Sequence, residues 1–232
     1  MADLTHKKHI FFDLDDTLWD FEKNSGIVLK ELFHEYHLQH KLGVDFETFS
    51  QAYKKNNQAF WKLYYTKQID KQFLRNHRFN ETFKLFGYDN YDENLKITEH
   101  YLQRSPKGTH LKEGCVEVLQ YLRNRHTLHI ITNGFKEVQS VKMEGSGIQH
   151  FFDIILVSEE HQLTKPDEKI FRLAESLTGA DSNDCVMIGD NMESDIQGAL
   201  QAGWEAIHYS PQKDAGYNGR HIDHLHQLKS IF

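Results

Sequence analysis

The chain has 232 residues, of which 39% are hydrophobic and 26% charged, so a disordered protein is excluded and one or two globular domains are expected. Its 27 Lys and Arg face 34 Asp and Glu, a formal net charge of −7 without a basic run, which argues against a nucleic-acid partner. The sequence has neither an apolar stretch of the roughly 18 residues that span a membrane nor the apolar centre of a signal peptide, so we expect a cytoplasmic protein.

The first predicted element is residues 9–14, a short apolar segment that is typical of a buried β-strand and ends beside carboxylates. A long region of helical periodicity follows, in which Asp45 and Asp70 are expected to cap two helices at their N-termini. A further helix is predicted at residues 95–102. The aromatic side chains of residues 46–86 are expected to pack in a core rather than to stack on a ligand.

After residue 108 the pattern changes to alternating helices and strands. Strands are predicted at residues 128–132, 154–157, 186–189 and 206–209, and helices at residues 113–123, after Gly134, and at residues 167–177 and 195–201. This alternation predicts an α/β fold, a Rossmann-like parallel sheet with helices on both faces. We expect residues 1–17 and 109–232 to form this core domain and residues 18–108 to form an inserted α-helical domain. The tail after Ser210 indicates turns and weak helix.

Polar side chains stand where the predicted strands and loops end. They form four motifs: Asp13-Leu14-Asp15-Asp16-Thr17, Thr132-Asn133-Gly134, Lys165-Pro166, and Gly189-Asp190 with Asp195 five residues later. Any one of them alone would fit a turn or a helix cap. Ligands of open α/β sheets bind beyond the carboxyl ends of the strands, so the four motifs together predict one site at that edge.

The four motifs, in this order, resemble those of the haloacid dehalogenase (HAD) superfamily, and the inserted helical region resembles the first type of cap in that superfamily. The resemblance covers nearly all of the chain. It implies a Mg²⁺-dependent hydrolase of small, soluble phosphomonoesters that works through an aspartyl-phosphate intermediate, with a cap that closes over the substrate. It does not imply a nucleic-acid polymer or a membrane as partner. We expect a monomer or a homodimer.

Within this resemblance, the first motif supplies the reacting carboxylates. Asp13 is expected to be the nucleophile, and Asp15, two residues further along an extended segment, the general acid and base. Asp16 is expected to have a backbone or capping role, because alternation points its side chain the other way. The expected ligands of Mg²⁺ are the carboxylates of Asp13 and Asp190 and the main-chain carbonyl of Asp15.

The remaining motifs supply groups that bind the phosphate. The Thr132 hydroxyl and the Asn133 backbone amide are expected to hold phosphoryl oxygens, and Lys165 to provide a fixed positive charge. Asp195 is expected to lie outside the ligand set and to orient Lys165 or a metal-bound water. The alternative for Asp195 is a simple carboxylate at a helix N-terminus.

The choice of substrate is less constrained by the motifs. Residues 12–21 (FDLDDTLWDF) resemble the corresponding segment of pyrimidine 5′-nucleotidases, and Trp19 and Phe21 are expected to contact a base, with core packing as the alternative. A sugar-phosphate phosphatase or a phosphomutase would use the same motifs. Asp15 argues against a haloacid dehalogenase, because dehalogenases lack this second aspartate. The paired acids argue against a non-catalytic phosphate-binding regulator, which would not need them.

Several other residues receive structural interpretations. Arg75 and Arg78 are expected to be exposed or salt-bridged, with a contact to the substrate as the alternative. Cys115 and Cys185 are expected to be core residues rather than a disulfide or thiolate ligands. Two histidine clusters are expected to be solvated helix faces rather than zinc sites: His34, His37 and His40, and His221, His224 and His226.

Overall fold

The computed structural model describes residues 3–211 and 216–232. The chain divides into two compact units: one runs up to Phe21 and resumes over Thr109–Phe232, and the other is Glu22–Gly108. We call the first the α/β unit and the second the helical unit. No helix in the described part of the chain is long and apolar enough to cross a membrane.

The α/β unit contains a six-stranded parallel sheet with the strand order β3-β2-β1-β4-β5-β6. The strands are β1 (His9–Phe12), β2 (Thr127–Thr132), β3 (Ile154–Val157), β4 (Cys185–Gly189), β5 (Glu205–Tyr209) and β6 (Arg220–Ile222). Phe12 lies in register with Ile130 of β2 and Ile188 of β4, so β1 is at the centre of the sheet. The predicted α/β fold is confirmed.

Both faces of this sheet are buried, which explains why its strands are almost continuously apolar. Ile10 and Phe12 point to one core layer and Phe11 to the other, as the two-residue alternation of a strand requires. Cys115 and Cys185 are both buried and free, one in each layer, so the prediction that they are core residues is confirmed.

The α-helices that the structure describes are short to medium in length. They are α1 (Phe21–Glu35), α2 (Leu38–Leu42), α3 (Phe46–Tyr65), α4 (Lys71–Lys84), α5 (Tyr91–Arg104), α6 (Cys115–Arg123), α7 (Lys136–Gly145), α8 (Ser158–His161), α9 (Glu168–Thr178) and α10 (Gly198–Gln201). The helix predicted at residues 195–201 is different in the structure, because a π-helical turn, Met192–Gln197, precedes α10. The wider turn carries Asp195 at the end of β4.

The tail also departs from the prediction of turns and weak helix. Arg220–Ile222 is the edge strand β6, paired with Ile207 to Tyr209 of β5, and a 3₁₀ turn at Leu225–Ser230 follows it. Residues 212–215 of the predicted tail lie outside the described residues. A strand of three residues is too short to produce an alternating pattern, so the sequence gives no signal for it.

The helical unit forms around aromatic side chains. Asp45 and Asp70 cap α3 and α4 as predicted, accepting from the N–H groups of Thr48 over 2.9 Å and Phe73 over 2.7 Å. The expectation that the aromatic side chains of residues 46–86 pack in a core is confirmed for Phe49, Tyr53, Phe79 and Phe83, which share a core with Phe33 and Tyr101. It is wrong for Phe73, which is 43% exposed.

Arg78 is buried inside this core, so the expectation that it is exposed or salt-bridged is wrong. Only 4% of the residue is exposed, its Nη1 donates to Asn57 over 3.1 Å, and its guanidinium lies 5.1 Å from the ring centre of Tyr101. A guanidinium that stacks on an aromatic ring can be buried with a neutral partner, which helical periodicity does not reveal. Arg75, one turn earlier, is half-buried.

Two extended segments join the units, and within the α/β unit they pair with each other. Trp19 and Leu111 form an antiparallel bridge, and the main-chain N–H of Lys112 donates to Leu18 over 2.8 Å. The Lys112 ammonium contacts Asp16 at 2.9 Å and Asp20 at 3.0 Å. We call this arrangement the paired connection.

A pair of histidines, one buried and one half-buried, lies on the sheet at the opposite end from the four motifs. His129 on β2 is 0% exposed, and its Nε2 is 3.1 Å from Nδ1 of His9 at the start of β1. Burial, reinforced by the charge of a protonated His9, lowers the pKa of His129 from 6.5 to about 4. Because the folded-state pKa is below the unfolded value, the folded chain disfavours protonation of His129.

Acid should therefore destabilise the α/β unit through His129. The unfolded chain binds more protons than the folded chain between about pH 6.5 and pH 4, so stability decreases as the pH falls through this window. A shift of this size corresponds to about 3 kcal/mol. In urea titrations at several pH values, His129→Leu should lose less stability than wild type on acidification, whereas the exposed His161→Gln should follow wild type. Parallel curves for His129→Leu and wild type would contradict the assignment.

Candidate active site

The central strand delivers Asp13 to the carboxyl edge of the sheet. Asp13 follows β1 directly, and its N–H donates to the carbonyl of Ile188 over 2.9 Å, which extends the pairing of β1 with β4 by one residue. The end of β4 carries Asp190. Register between neighbouring strands therefore brings the first and last of the four motifs together.

Lys165 lies at the centre of the site and is 1% exposed. Its Nζ is 2.7 Å from Asp13 Oδ1 and 2.6 Å from Asp195 Oδ1, and it also donates to the carbonyl of Ile131 over 2.7 Å. Burial alone would lower the pKa of this ammonium, but the carboxylates of Asp13 and Asp195 raise it above its usual value. Lys165 is thus a permanent cation whose three donors are all used.

The side chain of Asn133 holds the backbone of Lys165 in place. Its Oδ1 accepts from the Lys165 N–H over 2.9 Å and from the Ser158 hydroxyl over 2.7 Å, and its Nδ2 donates to the Lys165 carbonyl over 3.0 Å. The second motif predicts a role for the backbone amide of Asn133, but not for its side chain or for Ser158. Contacts that join three separate segments of the chain leave no spacing signal in a single sequence.

Asp190 and Asp195 follow β4 and are held by neighbouring polar groups. Thr17 donates its hydroxyl to Asp190 Oδ1 over 3.0 Å, and Asp195 Oδ2 accepts from the N–H of Asn191 over 3.0 Å. A Cβ atom at Gly189 would lie 2.2 Å from Asp195 Oδ2, so only glycine allows this close approach. The π-helical turn therefore packs Asp195 against the end of its own strand.

Three carboxylates meet at this edge of the sheet. Asp13, Asp190 and Asp195 each present an oxygen within 4.8 Å of the others. Burial, together with the charges of the neighbouring aspartates, raises the pKa of Asp13 from 3.8 to about 7 and that of Asp190 to about 8. Lys165 opposes the shift at Asp13. Two of these carboxylates are buried and Asp190 is half-buried. A cluster of carboxylates with excess negative charge has the oxygen donors that a hard divalent cation prefers, so this one could bind a metal ion.

The Asp15 carboxylate is held by two side chains of α7. Lys142 Nζ lies 2.6 Å from Asp15 Oδ1, and Gln139 Nε2 donates to Asp15 Oδ2 over 2.9 Å and to the Thr132 hydroxyl over 2.6 Å. Thr132 also accepts from the N–H of Gly134 over 3.1 Å. The first and second motifs are therefore joined through Gln139, a residue outside all four motifs.

Trp19 and Phe21, expected beside the substrate, lie next to this contact. Trp19 is 0% exposed and packs in the core, and Lys142 Nζ stands 4.5 Å from its ring centre and 5.7 Å from that of Phe21. Phe21 is half-buried. The face of Trp19 is therefore occupied by Lys142. Asp16, with a left-handed φ of 58°, turns its side chain to Lys112 instead of the carboxylate cluster.

Gln139 and Lys142 could have been found from the sequence. They are three residues apart, so a helix that begins after Gly134 places both on one face. That helix starts at the carboxyl end of the strand that carries Thr132. The helix face that carries Gln139 and Lys142 is therefore directed towards the site. What the sequence does not reveal is that Asp15 is the residue opposite them.

The comparisons with known proteins agree with this geometry. A family model described as haloacid dehalogenase-like hydrolase matches residues 7–203, and the chain belongs to this family. It is 30% identical over 227 residues to the pyrimidine 5′-nucleotidase YjjG of Escherichia coli (strain K12), covering 96% of each chain. It is 31% identical over 206 residues to the pyrimidine 5′-nucleotidase PynA of Streptococcus pneumoniae (strain ATCC BAA-255 / R6), covering 88% of this chain and 84% of that protein.

A solved structure is also similar over nearly the whole chain. The HAD-hydrolase YfnB of Bacillus subtilis, in a crystal form bound to magnesium, has a TM-score of 0.88 and 25% identity, covering 97% of this chain and 98% of its own. The expected family and the expected class of enzyme, a HAD-like phosphatase, are confirmed by these relatives.

Proposed function

We propose that the chain hydrolyses phosphomonoesters of small soluble molecules, with Asp13 as the nucleophile. The observation that carries the proposal is the contact of the Asp13 carboxylate with the buried ammonium of Lys165 at 2.7 Å. A fixed cation beside the carboxylate reduces the repulsion that an incoming phosphate dianion meets.

The reaction runs in two displacements. An Asp13 oxygen attacks phosphorus, the bond from phosphorus to the ester oxygen breaks, and Asp15 gives its proton to that oxygen. Water then attacks the aspartyl-phosphate, Asp15 takes a proton from the water, and the bond between phosphorus and Asp13 breaks. The Thr132 hydroxyl and the Asn133 backbone amide hold the phosphoryl oxygens during both steps, and the positive charge of Lys165 stabilises their negative charge.

A magnesium ion fits the donor set of this site. Asp13 and Asp190 would hold it through carboxylates and Asp15 through its main-chain carbonyl, since Mg²⁺ prefers oxygen ligands. When bound, it would offset the negative charge of the phosphate and of the carboxylates. Asp195 is committed to Lys165 at 2.6 Å, which favours a role in orienting Lys165.

The proposed substrates are pyrimidine nucleoside 5′-monophosphates. The support is the similarity to two pyrimidine 5′-nucleotidases over most of the chain. A base that stacks on Trp19 would first have to displace Lys142 from that ring, so Phe21, which is only half-buried, is the better candidate for an aromatic contact. We further propose a cytoplasmic location and a monomer or homodimer.

A panel of phosphate esters, assayed with and without Mg²⁺, tests this proposal. We expect activity on p-nitrophenyl phosphate and on dTMP or dUMP in Mg²⁺, and at least about a hundredfold less in excess chelator, because the carboxylate cluster then repels the substrate. Readdition of Mg²⁺ is the control. Full activity in chelator would remove the metal from the proposal. Hexose phosphates hydrolysed ten times faster than any nucleotide would favour a sugar-phosphate phosphatase, and isomerised sugar phosphate a phosphomutase.

A further inference from the structure

The face of α7 that carries Gln139 and Lys142 has no role in the two displacements as written. Gln139 is 0% exposed, and the Lys142 side chain is 5% exposed, whereas the Asp15 side chain between them is 30% exposed. Both α7 residues are thus more deeply buried than the carboxylate that they hold. Burying a lysine and a glutamine is unfavourable unless their donors are satisfied, and here Asp15 satisfies donors of both.

We propose that Lys142 is a positioning residue for Asp15, and that Gln139 assists it. The inference rests on the proposed function, in which Asp15 exchanges protons with the ester oxygen and with water. Lys142 holds Oδ1 and Gln139 holds Oδ2, so the two together fix the rotation of the carboxylate. A proton donor must be within hydrogen-bond reach of its partner and correctly oriented, and small displacements reduce the rate strongly.

Lys142 is itself held from the other side. The ring of Trp19 lies beneath its Nζ, so the ammonium is enclosed by an aromatic face and a carboxylate. This arrangement restricts a side chain that is otherwise flexible. Trp19, only four residues after Asp15, is at the same time buried in the hydrophobic core.

The position of Gln139 depends on a glycine. A Cβ atom at Gly134 would lie 2.2 Å from Gln139 Nε2, so a larger residue there would push the amide away from its two acceptors. The Gln139 amide donates to Thr132 as well as to Asp15, so the same contact links the proton-transfer group to the phosphate-binding hydroxyl. Helix α7 therefore couples the orientation of the two motifs.

The test separates the two chemical steps by leaving group. With p-nitrophenyl phosphate the leaving group needs little protonation, so Lys142→Met should still form the aspartyl-phosphate and then hydrolyse it slowly. We expect a burst of p-nitrophenolate larger than that of wild type and a kcat at least about tenfold lower. KM should fall in parallel with kcat, so that kcat/KM stays within about threefold of wild type. With dUMP, whose leaving group needs a proton, kcat should fall at least as much and no intermediate should accumulate.

Three further variants test whether the effect is specific to the Lys142 ammonium beside Asp15. Lys142→Arg keeps a cation and should restore most of the rate, and Asp15→Asn should show the limiting behaviour, trapped phosphoenzyme from p-nitrophenyl phosphate. Lys136→Met is the matched control, since Lys136 is on the same helix but its side chain is 63% exposed in a contact with Glu160. Its kinetics should equal those of wild type. Circular dichroism and thermal unfolding confirm that each variant folds.

Several outcomes would overturn the proposal. If Lys142→Met keeps wild-type kinetics, Lys142 has no role in catalysis. If KM rises with kcat preserved, Lys142 binds substrate and does not position Asp15. If the p-nitrophenolate burst falls and kcat falls with both esters, Lys142→Met has caused a general loss of structure, and the loss of rate is not evidence for positioning. A wild-type enzyme that releases no phosphate from any ester would instead refute the proposed function, and this inference with it.

Discussion

Replacing Asp13 with asparagine should lower kcat by at least about a thousandfold, because the neutral amide cannot form the aspartyl-phosphate. The amide oxygen can still accept from Lys165, so the variant should remain folded. Steady-state assays with p-nitrophenyl phosphate measure the loss. Rapid acid quench with radiolabelled substrate, followed by hydroxylamine treatment, measures the intermediate, which should be detectable in wild type and missing in the variant.

The matched control for this variant is Asp153→Asn. Asp153 is an exposed aspartate of the same α/β unit, so its loss removes a carboxylate without affecting the site. Its kinetics should match wild type. An Asp13→Asn enzyme within about tenfold of the wild-type rate would rule out Asp13 as the nucleophile. A large loss of rate with an intact labelled intermediate would instead move the nucleophile to another carboxylate.

Replacing Lys165 with methionine should affect both stability and activity. The substitution leaves Asp13 and Asp195 close together and buried without their shared cation, which we expect to reduce the free energy of unfolding by about 3–5 kcal/mol. The same change removes the buried cation beside Asp13, so kcat/KM should fall at least about a thousandfold. Urea unfolding and steady-state kinetics measure the two effects.

A double variant distinguishes the electrostatic cause from simple loss of packing. In Lys165→Met with Asp195→Asn, one of the unpaired carboxylates is removed, so part of the lost stability should return. Activity should not return, because the cation is still missing. The contrary result would be additive losses, in which Asp195→Asn lowers the free energy of unfolding by the same amount in the Lys165→Met background as in wild type. The destabilisation would then not come from unpaired charge.

The parallel sheet and the place of the site could be predicted from the sequence because each depends on local patterns. Five of the six strands are apolar segments at the expected positions, and the strand predicted at residues 154–157 coincides with β3. Parallel strands end at one edge, so a polar motif after each strand is enough to predict that the motifs converge. Helix caps such as Asp45 follow from their neighbours in sequence.

The contacts that could not be predicted join residues distant in the chain. Lys142 meets Asp15 across 127 positions, and the Asn133 side chain meets Lys165 across 32. Neither pairing leaves a periodicity or a spacing that one sequence displays. Arg78 is a similar case, since its burial depends on Asn57 and Tyr101 from two other helices. Burial of a charged side chain follows from tertiary partners, and helical periodicity alone predicts solvent exposure.

The paired connection has a consequence for how such a protein can be modified. The segments that leave and re-enter the α/β unit are tied by the bridge of Trp19 with Leu111 and by the Lys112 ammonium, which contacts two aspartates. Their ends are therefore neighbours, and a short loop could replace residues 22–108 without separating them. Inserted segments of other lengths and sequences could be exchanged at this point while the catalytic edge of the sheet keeps its geometry.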